Sequence, residues 1–154
     1  MADTPTFSAL YRDRVLDHGR APRHAGTLDE ASHRASVHNA LCGDRLTLRL
    51  RLDADGRIAA LRHQSEGCLL CLASVSLMAC DVPGRDAAGV AARLQALRAA
   101  LAEGQDETSD HVVALGDLAA LAGVAAHPAR HRCVLLPWEC LQQALAGGDD
   151  GAPA

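Results

Sequence analysis

The sequence of 154 residues contains no lysine, because all fifteen of its basic residues are arginine. This absence excludes a Walker-type phosphate lysine, a Schiff-base lysine and a lysine general base, so any pyridoxal chemistry would have to come from a partner. The sequence also lacks a run of five basic residues, and its formal net charge is −4. We therefore expect no nucleic-acid partner.

Long apolar segments are lacking as well. The least polar stretch, Cys68 to Cys80, contains two serines and is too short to cross about 30 Å of hydrocarbon. Residues Met1 to Leu10 show no charged leader followed by an apolar stretch. We therefore expect a cytoplasmic protein without a membrane span. In that reducing compartment, six cysteines are more typical of metal ligands or reactive thiols than of disulfides.

The periodicity of apolar residues predicts an α+β fold. Leucines alternate with polar residues from Leu46 to Leu52, which is typical of a half-buried strand. A turn at 53–56 leads to a hairpin partner over Ile58 to Gln64, and Ser32 to Ala40 forms a further strand. Helical periods predict helices over 4–18, 69–80, 90–101 and 115–121, and a last helix that begins after Pro137.

Strands that come early and helices that come late, without regular alternation, indicate a small three-stranded antiparallel sheet with helices packed on one face. The length and a hydrophobic content of 49% fit one domain, which we place at residues 1–146. Residues 147–154 are expected to form a disordered tail.

Three cysteines stand at predicted element ends. Cys42 precedes the leucine-rich strand together with Gly43 and Asp44, Cys68 lies between the hairpin and a helix, and Cys133 lies in a predicted turn between two late helices. Three thiolates and one carboxylate make a tetrahedral set that Zn²⁺ accepts, and Gly43 lets the backbone bring its two neighbours toward one ion. The spacing matches no zinc finger or ribbon, so by itself it leaves the metal site open.

Three motifs occur in order along the chain: Asn39–Arg45 (NALCGDR), Glu66–Cys68 (EGC) and Pro128–Cys133 (PARHRC). Together they resemble the U-type iron–sulfur cluster assembly family, which includes IscU, the N-terminal domain of NifU, and SufU. The resemblance extends from about Leu10 to Trp138. The long stretch between Cys68 and Cys133, with Arg132 before the last cysteine, is most similar to the SufU branch.

The resemblance implies a zinc-dependent sulfur transferase in iron–sulfur cluster assembly. Such a protein would accept persulfide sulfur on Cys42 from a SufS-type cysteine desulfurase and pass it to a downstream iron–sulfur scaffold or another sulfur acceptor. By position, Cys42, Asp44, Cys68 and Cys133 match the zinc ligands. Two alternatives remain open: a scaffold that assembles a [2Fe-2S] cluster on the same cysteines, and a zinc-stabilised module that regulates a desulfurase without carrying sulfur.

Three positions depart from the family pattern. Ala40 stands where the family has proline, and His63 and Ser65 stand where it usually has an aromatic residue and a glycine. These changes affect the expected geometry of the loops around the site, but they leave the four matched ligands intact.

The other thiols and the nearby histidine have structural interpretations. We expect Cys71 to pack as a small hydrophobic residue, and Cys80 and Cys140 to be buried on apolar helix faces. His131 is expected in a solvent-facing turn rather than on a metal, and Trp138, the only tryptophan, is expected in the core.

Overall fold

Three consecutive strands form an antiparallel sheet in the computed structural model, which describes residues 7–40, 43–103 and 110–147. The strands are β1 (His33–Asn39), β2 (Asp44–Leu52) and β3 (Ile58–Glu66), in the order β1-β2-β3. The β2–β3 turn is closed by Asp53, whose Oδ1 accepts the backbone N–H groups of Asp55 and Arg57, each at 2.9 Å. The predicted sheet and hairpin are therefore confirmed.

The alternation along β2 decides which face of the sheet is covered. Leu46, Leu48 and Leu50 are at most 1% exposed and face the helices, whereas the residues between them face the other side. The helices are α1 (Phe7–Arg20), α2 (Leu69–Asp81), α3 (Ala87–Glu103), α4 (Asp110–Leu115) and α5 (Pro128–Gly147), with a 3₁₀ helix at Gly116–Val124. Helix α5 packs on β1 and β2, and α2 packs between α1 and α5. The sheet and the helices therefore enclose one apolar layer, as the sequence predicts.

The last helix differs from the prediction. It begins at Pro128 and continues through Pro137, so the expectation that Cys133 lies in a turn is wrong. Proline removes the intrahelical hydrogen bond to the carbonyl four residues earlier, a cost that usually ends a helix. Here buried packing outweighs that cost: Trp138 is fully buried, and the Ser74 hydroxyl donates to the carbonyl of Val134 at 2.6 Å.

The other predicted bounds hold to within a few residues or lie outside the described ranges. Helix α1 ends at Arg20, two residues beyond the prediction, while its expected start at residues 4 and 5 lies outside the described residues. The predicted helix at 115–121 is divided between α4 and the 3₁₀ helix. Of the predicted disordered tail 147–154, Gly147 is the last residue of α5, and residues 148–154 lie outside the described ranges. No described helix is long and apolar enough to span a bilayer.

Candidate metal centre

Three residues that are far apart in sequence meet at one end of the sheet. Asp44 is the first residue of β2, Cys68 is the N-cap residue of α2, and Cys133 lies in the second turn of α5. A carboxylate oxygen of Asp44 and the two Sγ atoms all lie within 4.8 Å of one another. Asp44 and Cys133 are buried, and Cys68 is half-buried. Cys42, the predicted sulfur acceptor and fourth ligand, lies outside the described residues.

A close backbone approach holds Asp44 beside Cys68. Gly67 has a φ of +155°, and a Cβ at this position would lie 3.0 Å from Cα of Asp44 and closer still to its Oδ1. Only glycine therefore allows the β3–α2 connection to approach β2 this closely. The approach lets the backbone N–H of Cys68 donate to Oδ1 of Asp44 at 2.8 Å. The sequence shows Gly67 only as the middle residue of the second motif, and its role depends on the approach of two distant segments.

The thiol of Cys68 takes the place of the usual oxygen-bearing helix cap. Its Sγ accepts the backbone N–H of Cys71 at 3.4 Å, at the end of a helix where negative charge is stabilised. The prediction that Cys68 stands at a helix N-terminus is confirmed. The cap also fixes the direction of Sγ toward the other two donor atoms.

The carboxylate of Asp44 is buried with one oxygen unpaired. The residue is 0% exposed, and its Oδ2 has no hydrogen-bond partner within the described residues. Burying an unpaired carboxylate oxygen is costly, and a cation beside it removes that cost. A carboxylate oxygen with two thiolates is a donor set that suits Zn²⁺. The residues present therefore fit a zinc ion.

Apolar side chains surround the donor atoms. Cys71 and Leu136 are buried with Cys133 in one small cluster, and Val37 and Leu70 pack against it. Such a surrounding limits the access of water and strengthens the electrostatic attraction between a cation and its ligands.

The remaining thiols and aromatic groups have different outcomes. Cys71, Cys140 and Trp138 are fully buried, as predicted. Cys80 is exposed, so its predicted burial is wrong: in the last turn of α2 it lies on the outer side of the helix, whereas Ala79 and Val82 are buried. His131 is half-buried in α5 rather than in a solvent-facing turn, and its Nε2 lies 3.1 Å from two carbonyl oxygens at the end of the 3₁₀ helix.

Two of the departures from the family pattern form a single hydrogen-bonded pair. Nε2 of His63 donates to the carbonyl of Arg23 at 2.8 Å, so its Nδ1 accepts the Ser65 hydroxyl at 2.7 Å. The backbone N–H of His63 donates to the carbonyl of His24, and the backbone N–H of Gly26 donates to the carbonyl of His63. These two bonds hold the segment of His24 to Gly26 along the edge of β3. Burial lowers the pKa of His63, which keeps the imidazole neutral for both bonds.

The fold and the three motifs have a counterpart among known proteins. The family described as NifU-like N terminal domain matches residues 10–134. The chain belongs to this family. The zinc-dependent sulfurtransferase SufU of Bacillus subtilis (strain 168) is 32% identical over 151 residues, which cover 98% of this chain and 99% of that protein.

Other members of the NifU-like family are similar over most of their length. The iron–sulfur cluster assembly scaffold protein IscU of Streptococcus pyogenes serotype M1 is 32% identical over 136 residues, 88% of this chain and 82% of that protein. The crystal structure of a nitrogen-fixing NifU-like protein (N-terminal) from Brucella abortus is 28% identical and superposes with a TM-score of 0.76. The superposition covers 88% of this chain and 92% of the Brucella abortus chain. The family resemblance and the α+β fold are thus confirmed.

Proposed function

We propose that this NifU-like protein is a zinc-dependent sulfur transferase in iron–sulfur cluster assembly. The observation that carries the proposal is the convergence of Asp44, Cys68 and Cys133 around a buried carboxylate oxygen that has no hydrogen-bond partner among the described residues. The similarity to a zinc-dependent sulfurtransferase over almost the whole chain supports it.

Three described side chains would hold the zinc ion, and Cys42 would be the fourth ligand. When bound, zinc keeps the thiols ionised and lowers their nucleophilicity. The N–H of Cys68 occupies Oδ1 of Asp44 and so leaves Oδ2 as the donor for the ion. Cys68 and Cys133 stand on helices packed against the sheet, which suits them to hold the ion while Cys42, next to a glycine, reacts.

Cys42 would perform the transfer step. Its thiolate attacks the outer sulfur of the persulfide on a SufS-type cysteine desulfurase, a sulfur–sulfur bond forms on Cys42, and the enzyme's own cysteine leaves as a thiolate. The sulfane sulfur changes carriers without any net redox change. A thiolate of a downstream iron–sulfur scaffold, or another sulfur acceptor, would take it by the same reaction. The reducing cytoplasm would keep these thiols free.

A desulfurase assay tests this function. A SufS-type enzyme from the same organism is supplied anaerobically with cysteine and reductant, and alanine formation is measured with and without the zinc-loaded protein. We expect a many-fold rise that Cys42→Ala abolishes. Cys80→Ala is the matched control, because Cys80 is an exposed thiol outside the candidate centre. No rise with the wild type would contradict the proposal, and a rise that survives Cys42→Ala would indicate a regulator that carries no sulfur.

A second candidate function is a scaffold that assembles a [2Fe-2S] cluster on the same residues. The observation that favours it is sequence identity: the scaffold protein IscU of Streptococcus pyogenes and the sulfurtransferase SufU are each 32% identical to this chain. Anaerobic reconstitution with iron and sulfide distinguishes the two functions. Stable visible absorption that is lost on Cys68→Ala would favour the scaffold.

A further inference from the structure

The solvent-facing side of the sheet carries a row of arginines across all three strands. The register places Arg34 opposite Arg49, and Arg49 opposite Arg62. Arg45 and Arg51 share this face, because residues two apart on a strand point to the same side. One third of the arginines of the chain therefore lie on one face of a three-stranded sheet. We call these five residues the arginine face.

Only one acidic residue occupies an outer strand position beside the arginines. Of the two acidic residues in the strands, Asp44 is buried on the opposite face, and only Glu66, paired in register with Arg45, shares the arginine face. Five arginines and one glutamate leave this face with a strong positive charge, although the chain as a whole has a formal net charge of −4. The face therefore carries a local excess of positive charge.

Most arginines elsewhere in the protein are paired with carboxylates. Six of them lie within 4.0 Å of an aspartate or glutamate: Arg14, Arg23, Arg85, Arg93, Arg98 and Arg132. No residue of the arginine face forms such a pair with any part of the chain that the structure describes.

The hydrogen-bond partners on the arginine face carry no negative charge. Arg49 donates to the amide oxygen of Gln64, and Arg62 donates to a backbone carbonyl at 2.8 Å and to Nδ1 of His24 at 3.4 Å. Nε of Arg34 is buried without a hydrogen-bond partner within the described ranges. These contacts orient the guanidinium groups but leave their charge uncompensated.

Like charges directly opposite each other destabilise a sheet, so the arginine face lowers the stability of the fold unless an anionic surface covers it. A guanidinium group binds carboxylates through two parallel hydrogen bonds. The outer positions of the strands include no Phe, Tyr or Trp side chain on which a base could stack. We infer that the arginine face docks an acidic protein surface.

This inference does not depend on the proposed sulfur transfer. It does relate the two sites in space, because Arg45 directly follows Asp44 and Glu66 directly precedes Gly67. A protein docked on the face would therefore border the candidate metal centre without covering the interior donors.

A pair of matched double variants tests the inference in the full-length, zinc-loaded protein. Arg34→Gln with Arg49→Gln removes two charges from the arginine face, and Arg12→Gln with Arg20→Gln removes two exposed charges from α1. The probe is a fluorescent oligoglutamate peptide, titrated by anisotropy at low and high salt. We expect the first pair to weaken binding about tenfold at low salt and the second pair to change it little.

The salt dependence and the site of binding complete the test. High salt should abolish the difference between the variants, and peptide-induced shifts of amide resonances should fall on β1, β2 and β3. Equal weakening by both pairs would overturn the inference, since net charge alone would then explain binding. Tighter binding of an oligodeoxythymidylate of equal length would also overturn it, in favour of a nucleic acid. Alanine formation in the desulfurase assay depends on Cys42, so either proposal can fail without the other.

Discussion

Replacing Gly67 with alanine tests how the candidate metal centre is held together. A methyl group at this position would meet the carboxylate of Asp44, at 3.0 Å from its Cα and closer to Oδ1. The backbone of Asp44 is fixed in β2, so the carboxylate has to move and gives up the N–H of Cys68. The displaced side chain would stay buried, because Asp44 is 0% exposed.

The size of the effect follows from two contributions. Losing a hydrogen bond to a charged acceptor costs about 1.5 to 3 kcal/mol. Holding an alanine at a φ of +155° costs about 1 to 3 kcal/mol more. We therefore expect Gly67→Ala to reduce the free energy of unfolding by about 3 to 5 kcal/mol. The zinc affinity should fall as well, since the displaced carboxylate no longer presents Oδ2 to the ion.

Gly56→Ala is the matched control. Gly56 also has a positive φ, +78°, but a Cβ there would meet no atom within 4 Å. It should cost about 1 to 2 kcal/mol from the backbone alone. Urea unfolding of both variants with chelator present measures stability without metal, and competition with a chromophoric chelator measures zinc affinity. If Gly67→Ala is no more destabilising than Gly56→Ala and binds zinc normally, the approach of Gly67 to Asp44 does not hold the site in place.

Two other perturbations test packing outside the candidate metal centre. Because burial lowers the pKa of His63, the unfolded chain binds a proton at this residue more readily than the folded protein does. The stability of the chelated protein should therefore fall as the pH drops below about 6.5, and His63→Gln should flatten this fall in urea titrations. Arg93 donates to both oxygens of Asp81 at 2.9 and 3.0 Å and to two carbonyls at the end of α4, with only 15% of its side chain exposed. Arg93→Gln should cost about 3 kcal/mol in the same assay, whereas Arg98→Gln, which removes an exposed pair at 3.9 Å, should change stability by less than about 1 kcal/mol. Equal effects of these two variants would refute the importance of the partly buried pair of Arg93 and Asp81.

Local patterns in the sequence predicted most of the fold. The alternation of leucines from Leu46 to Leu52 is a property of successive residues, and a period of two can be satisfied only by a strand with one buried face. The turn at 53–56 and the helical period after Gly67 are equally local. Family membership was also predicted from sequence, because three short motifs in a given order are specific without any knowledge of how the chain folds.

Contacts between distant residues decided the rest. Pro137 predicts a helix end, but tertiary contacts such as the burial of Trp138 keep α5 continuous, so the position of Cys133 inside a helix depends on tertiary packing. The exposure of Cys80 has the same origin, because the apolar pattern of a helix does not show which of its positions are covered by neighbouring elements.

The candidate metal centre and the arginine face also arise from the tertiary structure. The residue types of the metal centre were visible in the sequence, but spacing alone could not bring Asp44, Cys68 and Cys133 within 4.8 Å. The arginine face depends on strand register, because shifting one strand by a single residue would turn the side chains of that strand to the other face of the sheet. Sequence determines which side chains are available, whereas register and helix packing determine which of them meet.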